Sequence, residues 1–296
     1  MKKILISGHS GFVGTNLLNF LDEYDLTGIS NVNIKSSKIP QIKKDIRFIT
    51  SEDVPRNLDC IIHLAAMTDV KLCQDNPKLC YEINVLGTQN LLEIARTQKI
   101  KFIFLSTSHV YGDSSKQKIS ESDPKNPTSI YSTSKLAGEL LCESYSKSYG
   151  LDISIIRLFS VYGPNEPSYK VTSEMISQLL NKKIVRLGNL SPKRDFIYIQ
   201  DAVLAIKIIL EKSRGFNSYN IGSEKSHSIM DLYNILKKIT SSSTPIKSIK
   251  SNSRKYDAKD IISNSSKIKK LGWKPKITLE EGMALTLQWY FNKLFF

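Results

Sequence analysis

The segment Lys3-Ile-Leu-Ile-Ser-Gly-His-Ser-Gly-Phe-Val-Gly14 decides the fold of this chain. It begins with an apolar run typical of a buried strand, and three glycines follow, each three residues after the last. The apolar residues beyond the loop recur at the spacing of one helix face: Phe12, Val13, Leu17, Leu18 and Leu21. A strand, a glycine loop and a helix in this order are the start of a doubly wound α/β fold.

The glycine loop predicts a dinucleotide site. Glycines let the backbone turn tightly and approach a pyrophosphate, while the following helix offers free N–H groups and a positive dipole. A tight turn that binds no ligand is the alternative. We expect the cofactor to contact the loop residues Gly8, Ser10, Gly11, Phe12, Val13 and Gly14.

The alternation of strands and helices continues to residue 112 and favours a parallel sheet with helices on both faces. Further short apolar runs predict strands at 26–29, 59–66, 102–106 and 153–159. We assign residues 1–164 to a dinucleotide-binding domain onto which 197–213 packs back. Residues 165–196 and 214–296 then form a smaller α/β lobe over the carboxyl edge of the sheet, where substrate binds.

Four local features complete the expected fold. A third strand should start at Asp45-Ile46, a pair placed to edge an adenine ring. The apolar pattern of residues 77–98 predicts one long helix. Asp201 is expected to cap a second helix, which runs to Leu210. The Ser- and Lys-rich stretch 241–254 is expected to be a loop.

Tyr131 and Lys135 lie four residues apart at the start of a predicted helix and therefore on one face. A nearby ammonium stabilises a phenolate and lowers the pKa of the phenol, so the phenol can exchange a proton near neutral pH. A surface pair formed by chance is the other interpretation. Thr107 belongs to a cluster of hydroxyls at the carboxyl end of the preceding strand, where open α/β sheets bind ligands. A hydroxyl there could hold a substrate oxygen beside Tyr131.

The end of the second strand bears on the choice of cofactor. An NAD-selective site usually has an acidic residue there to bind the ribose 2′-hydroxyl, whereas this chain has Ser30-Asn31, with Lys35 and Lys38 nearby. Hydroxyl, amide and lysine would accept a 2′-phosphate, so NADP(H) is favoured. NAD(H) remains possible, with Ser30 bonded to a ribose hydroxyl.

Composition excludes few classes of function. The formal net charge is +14, but the lysines are scattered and lack interleaved aromatic residues, so we expect a solvated surface and no nucleic-acid partner. No apolar run is long enough for a membrane helix, and the N-terminal strand does not resemble a signal peptide. The four cysteines lack metal-ligand spacing, so we expect no metal and a reduced, cytoplasmic setting.

The motifs together resemble the extended short-chain dehydrogenase/reductase family that modifies nucleotide sugars. The resemblance spans essentially the whole chain. It rests on the glycine loop, His63-Leu-Ala-Ala66, Asn84-Val-Leu-Gly-Thr88, Ser106-Thr-Ser-His-Val-Tyr-Gly112, Tyr131-x-x-x-Lys135, Arg157-x-x-x-Val-Tyr-Gly-Pro164, Arg194-Asp-Phe-Ile-Tyr198 with Asp201, Asn220-Ile-Gly222 and Leu271-Gly-Trp-Lys-Pro275.

The resemblance implies roles for particular residues. It makes Tyr131 the acid/base, Lys135 its partner and a ligand of the nicotinamide ribose, and Thr107 the catalytic hydroxyl. The further implied cofactor contacts are Ser30, Asn31, Asp45, Ile46, Leu64, Ala65, Ala66, Asn84 and Phe159. The implied substrate contacts are Thr107, Ser108, His109, Ser160, Arg194, Arg254 and Asp257. Ser160 stands where the family often has an asparagine.

The departures from the family pattern limit the reaction. The 4,6-dehydratases carry Asp-Glu after the catalytic threonine, whereas this chain has Ser108-His109, which argues against dehydration. Our leading hypothesis is an NADPH-dependent reductase of a nucleotide-diphosphate 4-keto-hexose. The alternative is an NAD-dependent 4-epimerase, and a minor one is a non-catalytic relative. The resemblance also implies a homodimer formed through the helices at 77–98 and 131–148. The alternative is that the apolar stripes on these helices belong to the core.

Overall fold

The computed structural model describes residues 1–32, 37–114, 116, 118–249 and 260–295, so Lys35, Arg254 and Asp257 lie outside the described residues. The strands are β1 (Lys3–Ser7), β2 (Asp25–Ser30), β3 (Gln41–Lys43), β4 (Cys60–His63), β5 (Lys101–Thr107), β6 (Ile153–Leu158), β7 (Ser160–Tyr162), β8 (Val185–Leu187), β9 (Lys193–Tyr198), β10 (Asn217–Ile221), β11 (Ser226–Ser228), β12 (Ile246–Ser248) and β13 (Asp260–Ile261). The helices are α1 (Phe12–Leu17), α2 (Val70–Asp75), α3 (Pro77–Tyr81), α4 (Gly87–Gln98), α5 (Ile130–Tyr149), α6 (Val171–Asn181), α7 (Ile199–Lys212), α8 (Ile229–Thr240), α9 (Ser266–Lys269) and α10 (Leu279–Phe295). Among the helices described, none has the length and apolar character needed to cross a membrane.

Seven strands form one parallel sheet in the order β10-β6-β5-β4-β1-β2-β3. The chain first adds β2 and β3 on one side of β1, and then returns to add β4, β5, β6 and β10 on the other side. The point at which the strand order reverses therefore lies between β1 and β4. Ligands of such folds bind at the carboxyl ends of the strands beside this reversal. The predicted doubly wound parallel sheet is confirmed.

Both faces of the sheet are covered, which explains why its strands are apolar throughout. Helices α1 and α7 pack on one face, and α4 and α5 pack on the other. All six residues of β6 are buried, as expected for a central strand of a two-sided parallel sheet.

Two smaller sheets lie outside the central one. Strand β9 pairs with β7, β11 and β13, and β12 pairs with β8. These strands bring together residues 160–162, 185–198 and several segments after residue 226. Strand β10 falls within the range that we assigned to the lobe, yet it forms the edge of the large sheet.

The third strand does not start at Asp45, so that prediction was wrong. β3 ends at Lys43, and Asp45 instead caps a 3₁₀ turn, Ile46–Phe48, by accepting a hydrogen bond from the Arg47 N–H at 2.9 Å. A capping carboxylate satisfies backbone donors that a strand would have paired with its neighbour. The same pair still borders the cavity described below.

The predicted long helix at 77–98 is interrupted. A π-helical turn, Glu82–Leu86, separates α3 from α4, and its wider ring places Asn84 in the protein interior. Such turns often occur at functional sites.

Two other local expectations also differ from the structure. Asp201 lies inside the first turn of α7, and its carboxylate accepts hydrogen bonds from the Lys276 and Ile277 N–H groups at 2.9 Å each. It therefore ties the segment before α10 to the first turn of α7 instead of capping α7. The stretch at 241–254 contains β12, because its backbone pairs with β8.

Candidate active site

The carboxyl ends of the central strands open into a cavity of ≈ 740 Å³ between the sheet and residues 160–196. This volume is in the range of small-molecule sites. The lining includes most of the predicted contacts: Gly8, Ser10, Gly11, Phe12, Val13, Gly14, Ser30, Asn31, Asp45, Ile46, Leu64, Ala65, Ala66, Thr107, His109, Tyr131, Phe159, Ser160 and Arg194. Asn84, Ser108 and Lys135 are buried and are not among the lining residues.

The glycine loop forms a cradle that side chains would fill. Gly8 has a φ of +74°, and a Cβ there would lie 2.6 Å from the Ala65 nitrogen. A Cβ on Gly14 would lie 2.3 Å from the Gly8 carbonyl oxygen. Helix α1 starts directly after Gly11, which caps it without a side chain, so its first N–H groups remain available to an anion. These features fit the pyrophosphate of a dinucleotide.

The far end of the cavity, where an adenosine would lie, carries few uncommitted charges among the described residues. The Ser30 hydroxyl accepts a hydrogen bond from the Val32 N–H at 3.2 Å. Lys44 pairs with Asp53 at 3.0 Å, and Lys38 donates to Asn19 at 2.8 Å. The Asp45 carboxylate pairs with Arg47 at 2.7 Å, which holds its pKa below the usual range.

Tyr131 is held at the start of α5, at the opposite end of the cavity. Ser129 caps this helix, and its hydroxyl and that of Ser132 close a capping box. Tyr131 and Thr107 both line this end of the cavity, so two predicted catalytic residues from separate elements lie together. Burial raises the pKa of the Tyr131 phenol, and the nearby Thr107 side chain opposes the rise. The lowered pKa that the Tyr-Lys spacing predicted is therefore not seen in the protein alone.

Lys135 lies one turn further along α5, and its side chain is 3% exposed. Its Nζ lies 4.1 Å from the centroid of the Phe104 ring, on β5. Burial lowers the pKa of Lys135 to about 8, since the charged form loses hydration. Lys135 thus carries a charge at neutral pH but loses it readily as the pH rises.

Thr107 is positioned by its own turn. Its hydroxyl accepts a hydrogen bond from the His109 N–H at 3.2 Å and caps the 3₁₀ turn Ser108–Tyr111. The His109 ring is 6.3 Å from the Tyr131 ring and also lines the cavity. His63, by contrast, is a packed strand residue, bonded to Ser7 at 2.6 Å and Thr88 at 2.9 Å.

Asn84 fixes the loop that follows β4. Its amide nitrogen donates to the Met67 carbonyl at 3.0 Å and to the Ser134 hydroxyl at 2.9 Å, and its oxygen accepts from the Met67 N–H at 2.8 Å. Met67 lines the cavity. Asn84 therefore shapes the cavity from behind, through the backbone of Met67.

The sequence patterns missed a second wall of the cavity. It is formed by the loop before α6, by the first turn of α6 and by residues after β8, and its lining residues include Glu166, Tyr169, Lys170, Glu174 and Asn189. The Tyr169 hydroxyl meets that of Thr68 at 2.8 Å, across from the sheet. No periodicity or motif marks these loop residues, so only the folded chain brings them to the site.

Comparison with known proteins assigns the chain to a family. The model of the NAD dependent epimerase/dehydratase family matches residues 4–222. The dTDP-D-glucose 4,6-dehydratase of Mus musculus is 31% identical over 320 residues, which cover 98% of this chain and 88% of that protein. The chain therefore belongs to the NAD-dependent epimerase/dehydratase family, and its predicted place among the extended short-chain dehydrogenase/reductases is confirmed.

Solved structures agree in fold over nearly the full length. The UDP-N-acetylglucosamine 4-epimerase from Methanobrevibacter ruminantium M1, in complex with UDP-N-acetylmuramic acid, has a TM-score of 0.92 and 27% identity and covers 99% of both chains. The UDP-glucuronic acid 4-epimerase from Bacillus cereus, in complex with UDP-glucuronic acid and NAD, has a TM-score of 0.91 and 30% identity, covering 98% of this chain and 99% of that one.

Proposed function

We propose that this chain is an NAD-dependent 4-epimerase of nucleotide-diphosphate hexoses. The observation that carries the proposal is the pair of Thr107 and Tyr131 at one end of a cavity whose other end is a dinucleotide cradle, with Lys135 buried one helical turn after Tyr131. This cluster suits the interconversion of an alcohol and a carbonyl group. The similarity to solved 4-epimerases supports the choice of reaction.

The protein residues would move one proton in each direction. A nicotinamide dinucleotide bound in the cradle would supply the hydride acceptor and donor for sugar C4. Tyr131 takes the proton of the C4 hydroxyl and later returns it to the same oxygen, while Thr107 holds the phenol in place. The buried phenol is protonated at neutral pH, which is the form that returns the proton. The Lys135 ammonium, one helical turn away, favours the phenolate that takes it.

Dehydration is disfavoured by the two residues after Thr107. Ser108 is 5% exposed, and His109 is the side chain of this turn that reaches the cavity. Neither is a carboxylic acid that could protonate a leaving C6 hydroxyl.

The adenosine end supports NAD over NADP. The Asp45 carboxylate lines this end of the cavity and its negative charge disfavours a 2′-phosphate, while Lys38 and Lys44 already bind other groups. The Ser30 hydroxyl, although it accepts from Val32, retains a proton to donate to a ribose oxygen.

An NADPH-dependent 4-keto-sugar reductase is the second candidate, and Ser30 is the observation that favours it. The end of β2 lacks the acidic residue that usually selects NAD. Both candidates use Thr107, Tyr131 and Lys135 in the same way, so the cofactor and the net redox change distinguish them.

The cofactor test is to denature the purified protein and identify the released dinucleotide by mass. The epimerase proposal predicts NAD retained in the protein, because the cofactor is regenerated in each turnover. Release of NADP(H), or an empty site that oxidises added NADPH with a 4-keto sugar, would favour the reductase and contradict the epimerase.

A further inference from the structure

Glu166 is a buried acid that the proposed proton transfer does not use. It lines the cavity although only 8% of the residue is exposed. Its Oε2 accepts a hydrogen bond from the Ser173 hydroxyl at 3.0 Å, and its N–H donates to the Gly163 carbonyl at 3.2 Å. Both contacts hold the carboxyl group in place, in the loop between β7 and α6.

The surroundings of Glu166 connect it to the reactive end of the cavity. Glu166 and Tyr169 lie in the same loop, between β7 and α6, and both line the cavity together with Thr107 and Tyr131. The Tyr169 hydroxyl also meets Thr68, in the loop after β4. Glu166 therefore lies on the wall that faces the sugar end and not on the adenosine end.

Few groups around Glu166 can neutralise its charge. Lys170 lowers the pKa of Glu166, and so does the bond from Ser173, but burial has the larger effect and raises it to about 8. The other titratable neighbours are the phenols of Tyr162 on β7, Tyr169 in the same loop and Tyr290 on α10, whose pKa values Glu166 raises. The carboxyl group is thus neutral at pH 7 and becomes a buried anion above pH 8.

We propose that Glu166 selects the sugar: it hydrogen-bonds a hydroxyl group of an uncharged hexose and disfavours a hexuronate. The inference rests on the proposed function and adds the class of sugar to it. A hydroxyl both donates and accepts, so it can pair with either form of a carboxyl group. A uronate carboxylate can pair only with the protonated form, because two carboxylates cannot both stay ionised in one buried site.

This difference makes the selection depend on pH. Binding of a hexuronate requires Glu166 to keep its proton, so each pH unit above its pKa weakens that binding by about tenfold. Binding of an uncharged hexose carries no such requirement. Groups that act on the shared UDP part of both ligands cancel when the two affinities are compared. Lys135 also titrates near pH 8 and attracts a carboxylate, so Glu166→Gln, which leaves Lys135 in place, separates its contribution from that of Glu166.

The test measures dissociation constants of UDP-glucose and UDP-glucuronic acid by calorimetry at about pH 7 and pH 9. For the wild-type protein we expect the preference for UDP-glucose to grow about tenfold between the two pH values. Glu166→Gln keeps the shape and hydrogen bonding of the side chain but cannot ionise, so the preference should no longer change with pH. Glu174→Gln is the matched control, since Glu174 also lines the cavity and is bonded to Gln178 at 3.1 Å.

The outcomes separate this inference from the proposal on which it rests. Failure of both sugar nucleotides to bind would overturn the proposed function together with the inference. If both sugar nucleotides bind, two results would overturn the inference alone. One is a preference for UDP-glucose that still changes with pH in Glu166→Gln. The other is a loss of that pH dependence in Glu174→Gln as well. Neither readout needs turnover.

Discussion

The pKa of the Tyr131 phenol is raised in the protein without a bound cofactor, and this determines when the residue can give up its proton. Loss of hydration holds the phenol, which is partly buried at the cavity wall, in its protonated form, so it loses a proton only when a positive charge compensates. Lys135 is placed to supply such a charge, but burial brings its own pKa to about 8. The two residues therefore work only over a limited range of pH.

Tyr131→Phe should abolish turnover and leave the cofactor bound. The variant removes one hydroxyl, so kcat should fall by about 10³, as is typical when a general acid/base is lost. Turnover and dinucleotide content per protein, measured on the same sample, check this. Wild-type activity in the variant would refute the acid/base assignment.

The pKa of Lys135 predicts that activity is lost at alkaline pH. The ammonium is present below pH 8 and is lost as the pH rises through that value, so kcat should decline above about pH 8. A pH–rate profile of the wild-type enzyme measures it. Activity that stayed constant well above this pH would show that the charge of Lys135 is not needed.

Sequence reasoning located the residues that belong to compact motifs. Thr107, Tyr131 and Lys135 could be found because hydroxyl clusters at strand ends and i,i+4 pairs on helices leave local patterns. Glu166 and Tyr169 could not, since they reach the site from a loop whose path depends on the packing of β7 and α6. The raised pKa of Tyr131 was also out of reach, because it depends on burial.

Among the elements, α5 and β6 are joined by a buried ion pair. Arg157 donates to both oxygens of Glu139, at 2.8 and 3.0 Å, and each side chain is 4% exposed. Arg157 also donates to the Tyr111 hydroxyl at 2.7 Å, in the turn after Thr107. This network fixes α5, and therefore Tyr131, relative to the strand ends.

Glu139→Gln should destabilise the fold strongly. It leaves the Arg157 charge buried without its counter-ion, which costs about 3–5 kcal/mol of unfolding free energy. Glu143→Gln on the same helix is the control, since its pair with Lys147 is solvent-exposed and contributes ~0.5 kcal/mol or less. Urea denaturation of both variants measures the difference, and equal stability would mean that the buried pair contributes nothing.

Elements were predictable where periodicity is long and uniform, as in α5 and the central strands. The predictions failed where a side chain competes for backbone groups. Asp45 ends a strand by capping the next turn, and Asp201 binds the N–H groups of a segment 75 residues further along the chain. Such bonds depend on tertiary neighbours, so no local pattern reveals them.

For the molecule as a whole, buried histidines set a pH limit to stability. Burial holds the pKa of His63 well below its ordinary value of 6.5, and it also lowers the pKa of His9. At a pH between the pKa of a histidine in the folded chain and its pKa in the unfolded chain, the unfolded chain binds more protons. Acid therefore favours unfolding. The free energy of unfolding should therefore fall as the pH drops below about 6.5.

His63→Gln tests this linkage. The variant keeps a side chain that can bond Ser7 and Thr88 but cannot take up a proton. Its unfolding free energy between about pH 6.5 and 5 should change less steeply than that of the wild type, by up to ~1.4 kcal/mol per pH unit. Identical slopes would show that His63 does not take up a proton on unfolding.

The homodimer inferred from the family resemblance stays a prediction, and the structure offers a surface for it. Leu140 on α5 is 58% exposed and Leu86, before α4, is 41% exposed. We expect light scattering to give about twice the chain mass of 33.5 kDa and Leu140→Glu to give a monomer. Leu285→Glu on α10, at a site 40% exposed, should leave the dimer intact. A monomeric wild-type protein would exclude this interface.

The most direct test of the proposed epimerase is to follow a UDP-hexose by NMR with the purified protein and no added dinucleotide or reductant. The account predicts that UDP-glucose and UDP-galactose reach one common equilibrium mixture from either side, and that Tyr131→Phe stops the conversion. The absence of interconversion by a protein that oxidises one NADPH per 4-keto sugar would contradict it.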